Sequence, residues 1–584
     1  MARFFNLSLI ELLLLSGISL LLLFPLGAAA LGTPLYLLFW AIHLLILSFC
    51  EVRAFGVLKQ ELLKGRFLHA LAGCGAIFLL GVAALQGWLP ITARDALIYH
   101  LEVPKLWLRA GRIIELPWNE WSYFPLLDSF AYAGFLKLGV DFLCPLYHLL
   151  YLPIGAALIL TLLAEQGLER PARLAAGVLI CSTPLFLRLA SEPMADLSMA
   201  TWFCGAFYCT VRFASEQRRS DLLSAGTFLG LMLATKYNSV LAVAIFLGLM
   251  PVLLSDYGLP ARRAFQQTLL AASIAALVFS GWPLQNMVWT GNPFFPFLQG
   301  VFGGHGANVA FMGAAPLVHR LHIYGESWLE IALIPLRVFF TGEDGNPAQF
   351  DGVLTPLLLI GVWAVGRIKE QRFLRFTLFF SVSYFLLSLV LFHALIRYQT
   401  PVILLLCLLS GIVLGRVRLK SLVIYNSCLL LNVAFAFYYL HDSFTRSGGY
   451  DYLRGRLSRD AYLQRHIPEY EMIKFANSNV PVNENIYLLL TGNRYYLYEP
   501  GVRGSYFSAT PVLESLKEAD PAKALAEFFN NQTTKYVLIN KALTQRVFSQ
   551  SLDAAQFAVW QEFINSRLEP LRDENLYFLG RILP

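Results

Sequence analysis

Residues 67–105 read "FLHALAGCGAIFLLGVAALQGWLPITARDALIYHLEVPK" and join two unlike segments. The first, 67–89, is apolar and contains no acidic residue, lysine or arginine. A run of roughly 20 apolar residues is long enough to cross the hydrocarbon core of a bilayer as a helix. The second segment, 92–105, gathers two acidic and two basic residues, a histidine and a tyrosine. The stretch therefore predicts a membrane span that ends in a polar loop at the membrane surface.

The whole chain has the composition of a membrane protein. Its 584 residues are 57% hydrophobic and only 14% charged, with a mean hydropathy of +0.58. Soluble domains carry about 25% charged residues. The net charge of +7 comes mainly from short basic loops between apolar runs, where membrane topology explains it. A nucleic-acid partner is therefore not expected.

About 13 apolar runs are long enough to be membrane spans. They lie near 8–29, 34–52, 67–89, 142–164, 171–189, 196–213, 221–235, 238–255, 265–288, 352–367, 373–394, 400–415 and 419–440.

Lysine and arginine predict the orientation of these spans. Alternate loops such as "EVRAFGVLKQELLKGR", "PARRAF" and "GRIKEQRFLR" are strongly basic and are expected in the cytoplasm. The remaining loops, which include 90–141, 190–195 and 289–351, are then outside. With an odd number of spans, the N-terminus is cytoplasmic and everything after residue 441 is outside.

The segment 442–584 is polar and differs from the apolar part, 1–441. Short β-rich runs ("NIYLLL", "RYYLYE", "KYVLIN", "LYFLGRIL") alternate there with helix-like stretches ("EYEMIKFANSN", "PAKALAEFFNN"). The fold class predicted is a polytopic α-helical membrane protein with a C-terminal soluble α/β domain on the outer face.

The polar segment 92–105 contains the first candidate site residues. If it begins as an α-helix, Asp95, Tyr99 and Glu102 lie on one face. Thr92 and Asp95 also fit a capping box, so Asp95 has a purely structural explanation as well. His100 could be a metal ligand, an acid–base group or a hydrogen-bonded residue at the membrane interface.

Two basic residues in the same segment have similar alternatives. Lys105 could anchor the loop at the membrane surface or contact a ligand. Arg94 could do the same, and its place beside Asp95 would also suit a phosphate group.

A second acidic pair occurs in the next outer turn, "SEPMADLS", as Glu192 and Asp196. Acidic residues from two loops at one membrane depth could share a site with Asp95, so Glu192 and Asp196 are candidate catalytic residues beside it. The alternative is that Ser191 or Asp196 caps the following helix.

Cationic residues complete the pattern. "LATKYNS" places Lys236 between two apolar segments, and "HALIRYQTP" places Arg397 and Tyr398 at an outer helix start. Ionisable residues at such positions either extend to the membrane–water interface or belong to a functional site. Together they indicate positive charge where a lipid phosphate would lie.

The stretches "RDALIYHLEVPKLWLRAGRI", "STPLFLRLASEPMADLSMATWF", "LATKYNSVLAV", "TGNPFFPF" and "RYQTPVILLL" resemble GT-C fold glycosyltransferases. The likeness is to the bacterial group akin to protein O-mannosyltransferases and lipid A aminoarabinose transferases, and it covers about 67–440. The resemblance implies an essential Asp in the first long outer loop, here Asp95. It also implies a polyprenyl-phosphate-linked sugar donor and residence in the bacterial inner membrane, with 442–584 periplasmic. Two features depart from the family: about two extra spans precede this loop, and Ala96 follows Asp95 where the mannosyltransferases have Glu.

The function expected is an inverting glycosyltransferase that moves a sugar from polyprenyl phosphate to a hydroxyl of a glycan, lipid or protein. Asp95 is the expected base, because direct displacement needs a single base and no second nucleophile. Lys105, Lys236 and Arg397 are expected to stabilise the departing phosphate, with Arg94, Tyr99, His100 and Tyr398 shaping the donor site. Asp95, His100, Glu192 and Asp196 could hold a divalent metal, although the sequence requires no cofactor.

Two other functions fit the same sequence. One is a transporter or flippase of a lipid-linked sugar, which would favour inverted repeats and charges near the midplane. The other is a non-catalytic scaffold for envelope polysaccharide assembly, with the outer domain as its binding module. The charges lie instead at outer helix ends and no repeat is visible, which favours an enzyme.

Overall fold

The fold is a bundle of apolar helices followed by a C-terminal α/β region, which confirms the predicted fold class. The computed structural model describes residues 7–303, 316–364, 372–504 and 508–583. Up to residue 190 the helices are α1 (Leu9–Ala30), α2 (Pro34–Leu62), α3 (Phe67–Gly87), α4 (Glu102–Ala110), α5 (Leu127–Lys137), α6 (Cys144–Leu149), α7 (Tyr151–Glu165), α8 (Arg170–Ser182) and α9 (Pro184–Ala190). A π-helical turn lies at Ala96–His100, and 3-10 turns lie at Glu120–Tyr123 and Asp141–Leu143.

The second half of the membrane part contains long helices and a series of short ones in the loop between α14 and α19. The helices are α10 (Asp196–Glu216), α11 (Arg219–Thr235), α12 (Ser239–Asp256), α13 (Ala261–Phe279), α14 (Gly281–Thr290), α15 (Gln299–Phe302), α16 (Pro316–Ile323), α17 (Trp328–Ala332), α18 (Ile334–Arg337), α19 (Leu359–Ala364), α20 (Phe373–Leu391), α21 (Thr400–Lys420) and α22 (Leu422–Ser447). The 3-10 turns here are Pro347–Gln349, Pro356–Leu358 and Ile396–Gln399.

Local sequence signals explain where several helices begin and end. Ser8 and Glu11 form a capping box at the start of α1, so two backbone N–H groups that the helix leaves unpaired are satisfied. Thr33 caps α2, and Pro34 occupies its first turn, where a missing N–H costs nothing. Gly111 ends α4 at a φ of 69°, a left-handed conformation that glycine adopts without a Cβ clash.

Among the described residues, eight helices are long and apolar enough to cross a membrane, and ten spans result if each of two bent helix pairs counts as one. The bent pairs are α8–α9, at 53°, and α13–α14, at 51°. The prediction of about 13 spans also counted 196–213 and 221–235, which form α10 and α11. Almost all of α10 is buried inside the bundle, so it packs against protein instead of lipid. The remaining predicted span, 352–367, extends beyond the described residues.

Burial divides the spans into central and peripheral ones. The helical run Ile396–Arg418 is central, with 89% of its apolar window buried, whereas the windows of α1, α2, α3 and α22 are 33–44% buried. The peripheral helices expose large apolar side chains such as Leu38, Phe78 and Leu277. A surface of this kind suits hydrocarbon and would be a liability in water. The chain is thus a multi-pass membrane protein whose central helix begins beside Arg397.

The C-terminal region contains α23 (Gly449–Leu453), α24 (Arg459–His466), α25 (Tyr470–Asn479), β1 (Asn485–Leu489), β2 (Gly501–Arg503), α26 (Ala509–Ser515), α27 (Pro521–Asn531), β3 (Tyr536–Asn540), α28 (Lys541–Ser551), α29 (Ala554–Arg567), β4 (Leu568–Asp573) and β5 (Tyr577–Ile582). A 3-10 turn lies at Tyr495–Leu497. The strand order is β2-β1-β3-β5-β4, with β1 parallel to both β2 and β3, and β5 antiparallel to β3 and β4.

Alternation along the strands divides the core of this region in two. Tyr487 and Leu489 of β1 pack with α26 to α29 on one face of the sheet. Ile486 and Leu488 point to the opposite face and belong to the core that is continuous with the membrane part. Three of the four predicted strand runs and both predicted helices are present. "RYYLYE" is instead a 3-10 turn, so that strand prediction was wrong, and β2 and β4 were not predicted.

Candidate active site

The polar segment after α3 contains a π-helical turn, Ala96–His100, and is not a uniform α-helix. The wider i to i+5 pattern is visible where Leu101 N donates to the carbonyl oxygen of Ala96 at 2.9 Å. Asp95 precedes this turn, and its side chain does not cap it. Its Oδ2 instead contacts the side chains of Tyr99 and Arg397. Single π turns occur frequently at functional sites.

Asp95 pairs with Arg397 at the start of the central helix. Arg397 Nη1 lies 2.7 Å from Asp95 Oδ2, and only 12% of the arginine side chain and 23% of the aspartate side chain are exposed. The hydroxyl of Tyr99 also donates to Asp95 Oδ2, at 3.4 Å. Asp95 and Tyr99 were predicted on one helix face and Arg397 separately, and the fold brings the three together.

The pair continues into a chain of alternating charges. Arg397 Nε lies 3.3 Å from Asp351 Oδ2, and the other oxygen of Asp351 accepts from Arg188 Nη1 at 2.7 Å. Arg188 Nη1 also donates to Asp344 Oδ1 at 3.1 Å, and the other oxygen of Asp344 accepts from the Tyr439 hydroxyl. Asp351, Arg188 and Asp344 were not among the predicted site residues. Asp351 contacts Arg397 directly, and Arg188 and Asp344 continue the chain beyond it.

A second ion pair lies next to this chain. Lys236 Nζ donates to both carboxylate oxygens of Asp196, at 2.9 and 3.0 Å, and the Asp196 side chain is fully buried. The ring of Tyr398 lies near both cations, with the Lys236 Nζ and the Arg397 guanidinium carbon each 5.4 Å from its centroid. The charges of Asp95 and Asp196 both act on Arg397. Lys236, Asp196 and Tyr398 therefore belong to the same cluster as Asp95.

Glu192 lies at the edge of this cluster. Burial raises the pKa of its carboxyl to about 7, although the charge of Arg188 acts in the opposite direction. The backbone of the Glu192–Asp196 turn is held by His148, whose Nδ1 lies 2.9 Å from the carbonyl oxygen of Glu192. His148 Nε2 accepts from Leu197 N at 3.0 Å. These bonds position both predicted acidic residues.

His100 is buried beside the cluster, and both of its ring nitrogens have no hydrogen-bond partner among the described residues. Its ring packs against that of Tyr99, with centroids 4.2 Å apart. Burial, reinforced by the charge of Lys236, lowers the pKa of His100 to about 3. The imidazole is therefore neutral at physiological pH, and it can donate one hydrogen bond and accept another.

The electrostatic balance keeps Asp95 ionised. Burial raises the pKa of its carboxyl, but the charges of Arg397 and Lys236 outweigh burial and hold the pKa at about 2. The Asp95 carboxylate can accept a proton once another anion pairs with these two cations, because their charges then no longer lower its pKa as strongly. The cations themselves can stabilise a phosphate.

Two predicted basic residues act on the C-terminal region. Lys105 Nζ lies 2.5 Å from Glu102 Oε2 and donates to the carbonyl oxygens of Tyr496 and Tyr498, both at 3.0 Å. Arg94 is exposed, and its charge acts on the Tyr495 phenol. Lys105 thus faces the C-terminal region.

The predicted metal donors do not form a set. In the parts of the chain from 7 to 303, 316 to 364, 372 to 504 and 508 to 583, no three His, Cys, Asp or Glu side chains converge as metal ligands would. Of these predicted donors, Asp95 and Asp196 are instead paired with Arg397 and Lys236.

Comparison with known proteins supports a relationship to sugar transferases. Residues 130–283 match the family model of dolichyl-phosphate-mannose-protein mannosyltransferases. This match confirms the family resemblance predicted from the sequence. The matched segment contains Glu192, Asp196 and Lys236, whereas Asp95 and Arg397 lie outside it. No curated protein sequence matches the chain.

Several solved structures are similar to this chain at low identity. One is ArnT from Cupriavidus metallidurans bound to undecaprenyl phosphate, with 12% identity and a TM-score of 0.47 over 88% of this chain and 97% of that chain. ArnT from Cupriavidus metallidurans in the apo state has 13% identity and a TM-score of 0.49, over 87% of this chain and 98% of that chain. A third is the archaeal oligosaccharyltransferase AglB from Archaeoglobus fulgidus in complex with an inhibitory peptide and a dolichol-phosphate. It has 13% identity and a TM-score of 0.43, over 79% of this chain and 69% of that chain.

Proposed function

We propose that this protein is an inverting glycosyltransferase. It moves a sugar from a polyprenyl-phosphate donor to an acceptor hydroxyl at the outer face of the bacterial inner membrane. The observation that carries the proposal is the buried cluster in which Arg397 and Lys236 lie beside the ionised carboxylate of Asp95. The family match over residues 130–283 supports the same class of reaction.

In this proposal the cations bind the donor phosphate. Arg397 and Lys236 are already desolvated and are held by Asp351 and Asp196, so little reorganisation is needed when a phosphate arrives. A polyprenyl phosphate is itself a leaving group, so no nucleotide-binding motif is required.

Asp95 then acts as the base. The acceptor oxygen forms a bond to the anomeric carbon as its proton passes to Asp95, and the bond between that carbon and the phosphate oxygen breaks. A single displacement inverts the anomeric centre, and polyprenyl phosphate leaves with the bonding electron pair. The pKa of Asp95, about 2 while Arg397 is paired with it, rises when the phosphate takes over part of the arginine charge.

The neighbouring side chains have supporting roles in this mechanism. Tyr99 and the neutral His100 offer hydrogen bonds to sugar hydroxyls, and the ring of Tyr398 packs near both cations. Glu192 offers a second carboxyl with a pKa of about 7 at the edge of the cluster. Residues 1–441 would form the catalytic membrane domain and 442–584 a periplasmic domain.

The decisive test follows the donor. Purified protein is incubated with a panel of polyprenyl-phosphate sugars, and loss of sugar from the lipid is measured with and without a mixture of hydroxyl acceptors. We expect one donor to be consumed and Asp95→Asn to slow its consumption by roughly 100- to 10,000-fold, the usual contribution of a general base.

The matched control is Asp573→Asn, since Asp573 is an exposed carboxylate paired with Lys541 in the C-terminal region. It should leave turnover unchanged. Consumption of no donor, or equal rates for Asp95→Asn and the wild type, would rule out this function and favour a flippase or scaffold.

A further inference from the structure

A cleft of about 490 Å³ lies between the membrane part and the C-terminal region. It is bordered by the outer end of α3, by the connection between α5 and α6, and by the start of α24. We call it the Trp88 cleft, after the residue that directly follows α3. Its volume falls within the roughly 300–1,000 Å³ of small-molecule sites.

Aromatic side chains form one wall of the Trp88 cleft. The rings of Trp88 and Phe142 lie 4.9 Å apart at 59°, and these residues are 49% and 37% exposed. Tyr452 and Tyr496 add two further rings to the lining. Such rings offer flat apolar faces, and the tyrosines and tryptophan also have a polar group that can form hydrogen bonds.

Charged and hydroxyl groups line the same space. The Tyr496 hydroxyl donates to Asp141 Oδ2 at 3.0 Å, and Arg459, the first residue of α24, is exposed at the cleft. One acid and one base leave no excess charge. A strongly anionic headgroup would find a single cation opposed by a carboxylate, and an acyl chain would have to bury both charges.

We propose that the Trp88 cleft binds neutral carbohydrate. The C–H faces of a pyranose fit against Trp88 and Phe142, while Asp141 accepts from sugar hydroxyls and Arg459 donates to them. This combination of flat rings with both a donor and an acceptor suits a ligand that is apolar on its faces and polar around its edge.

The cleft is connected to the Asp95 loop through the backbone of Tyr496. Its carbonyl oxygen accepts from Lys105, whose helix, α4, follows the π turn directly after Asp95. The sugar in the cleft is therefore assigned as part of the acceptor, an assignment that rests on the proposed function. Free glycan and the headgroup of a glycolipid share this chemistry.

The test measures binding without any donor. Saturation-transfer-difference NMR is recorded on the full chain in detergent with neutral trisaccharides of glucose, mannose, galactose and N-acetylglucosamine. We expect at least one to bind, and Trp88→Ala and Arg459→Gln each to weaken its binding at least 10-fold. Trp328→Ala is the matched control, because that indole is 66% exposed and lies outside the cleft. Trp88→Phe, which keeps a ring, should retain most of the binding.

Asp95→Asn separates this proposal from the proposed function, because it should bind the trisaccharide as the wild type does while losing turnover. Binding of the same trisaccharide is also compared in two forms, free in solution and attached to a lipid in nanodiscs. Tighter binding of the free form indicates a glycan as the source, and tighter binding of the lipid-attached form indicates a glycolipid. The proposal is overturned if no trisaccharide binds, or if the cleft variants bind as tightly as the control. It is equally overturned if Trp88→Ala leaves trisaccharide binding unchanged in detergent and lowers only the melting temperature in phosphatidylglycerol nanodiscs, since the aromatic wall would then be a membrane anchor.

Discussion

Arg397 determines the chemistry of Asp95 more than any other residue does. Its guanidinium contacts Asp95 on one side and Asp351 on the other, through Nη1 and Nε. The planar, forked shape of arginine makes this bridge, and the single ammonium of a lysine cannot reproduce it.

We therefore expect Arg397→Lys to reduce turnover of the donor by roughly 10- to 100-fold even though the positive charge is kept. A lysine can pair with one carboxylate but cannot hold the two at a fixed separation. The loss should appear in kcat/KM when initial rates are measured against donor concentration. Arg446→Lys is the control, because Arg446 is exposed and pairs within its own helix with Asp442. A wild-type rate for Arg397→Lys would mean that the bridge has no role in the reaction.

Glu192 gives a prediction about stability and pH. Burial holds its pKa near 7, above the ordinary value of 4.5, despite the nearby charge of Arg188. The folded protein thus binds this proton more strongly than the unfolded chain, and the stabilisation is complete below about pH 4.5 and lost as the pH rises through 7. Glu192→Gln is uncharged at every pH. Its melting temperature should therefore equal that of the wild type near pH 5 and exceed it at pH 8.

Thermal unfolding in detergent between pH 5 and 8 measures this difference. Glu484→Gln, at an exposed ion pair with Lys535, controls for loss of a carboxylate elsewhere. A difference in melting temperature that does not change with pH would contradict the assignment of the shifted pKa to Glu192.

The sequence could reveal only part of this site. Asp95, Lys236 and Arg397 could be identified because each interrupts or borders an apolar run, where a charged side chain is costly and usually has a function. Arg188 sits within the predicted span 171–189 and was overlooked, although a charge inside such a run is the same signal. Asp344 and Asp351 occur in a polar loop, where acidic residues are common. Only the fold shows that they meet Arg188.

At the scale of elements, the π turn Ala96–His100 separates two sets of side chains. An α-helix would have placed Asp95, Tyr99 and Glu102 on one face. In the wider turn, Tyr99 remains beside Asp95, whereas Glu102 faces Lys105 in α4. Sequence periodicity assumes a uniform helix and could not predict this division.

Lys105 is the connection between α4 and the C-terminal region. Replacing it with Met would leave the buried carboxylate of Glu102 without its partner, an effect worth about 3–5 kcal/mol in buried pairs. We expect Lys105→Met to lower the melting temperature and to expose the turn Tyr495–Leu497 to limited proteolysis. The double variant Glu102→Gln/Lys105→Met should recover much of the loss. Lower turnover at unchanged stability would instead place Lys105 in the donor site.

The same contacts explain why "RYYLYE" is not a strand. Its alternation of tyrosine with other residues is typical of β structure. The carbonyl oxygens of Tyr496 and Tyr498, however, face Lys105 and are unavailable to a sheet neighbour. A tertiary contact nearly 400 residues away in sequence thus overrides the local preference.

For the whole molecule, the positive-inside pattern makes a clear prediction. Single cysteines replacing Lys523 in α27 and Arg218 before α11 would sit at exposed sites, where the native side chains are 71% and 62% exposed. Lys523→Cys should react with a membrane-impermeant maleimide on intact spheroplasts, and Arg218→Cys only after permeabilisation. Labelling of both, or the reverse pattern, would contradict a cytoplasmic N-terminus and a periplasmic C-terminal domain.

The charge chain also has a consequence for how the protein is made. Asp95 and Arg397 are about 300 residues apart, and Arg188 precedes Asp351 by 163. Chains are synthesised from the N-terminus and fold segment by segment. Asp95 and Arg188 therefore leave the ribosome long before the residues that neutralise them. During insertion these charges must remain in water at the membrane surface, so the site closes only when the central helix enters the bundle.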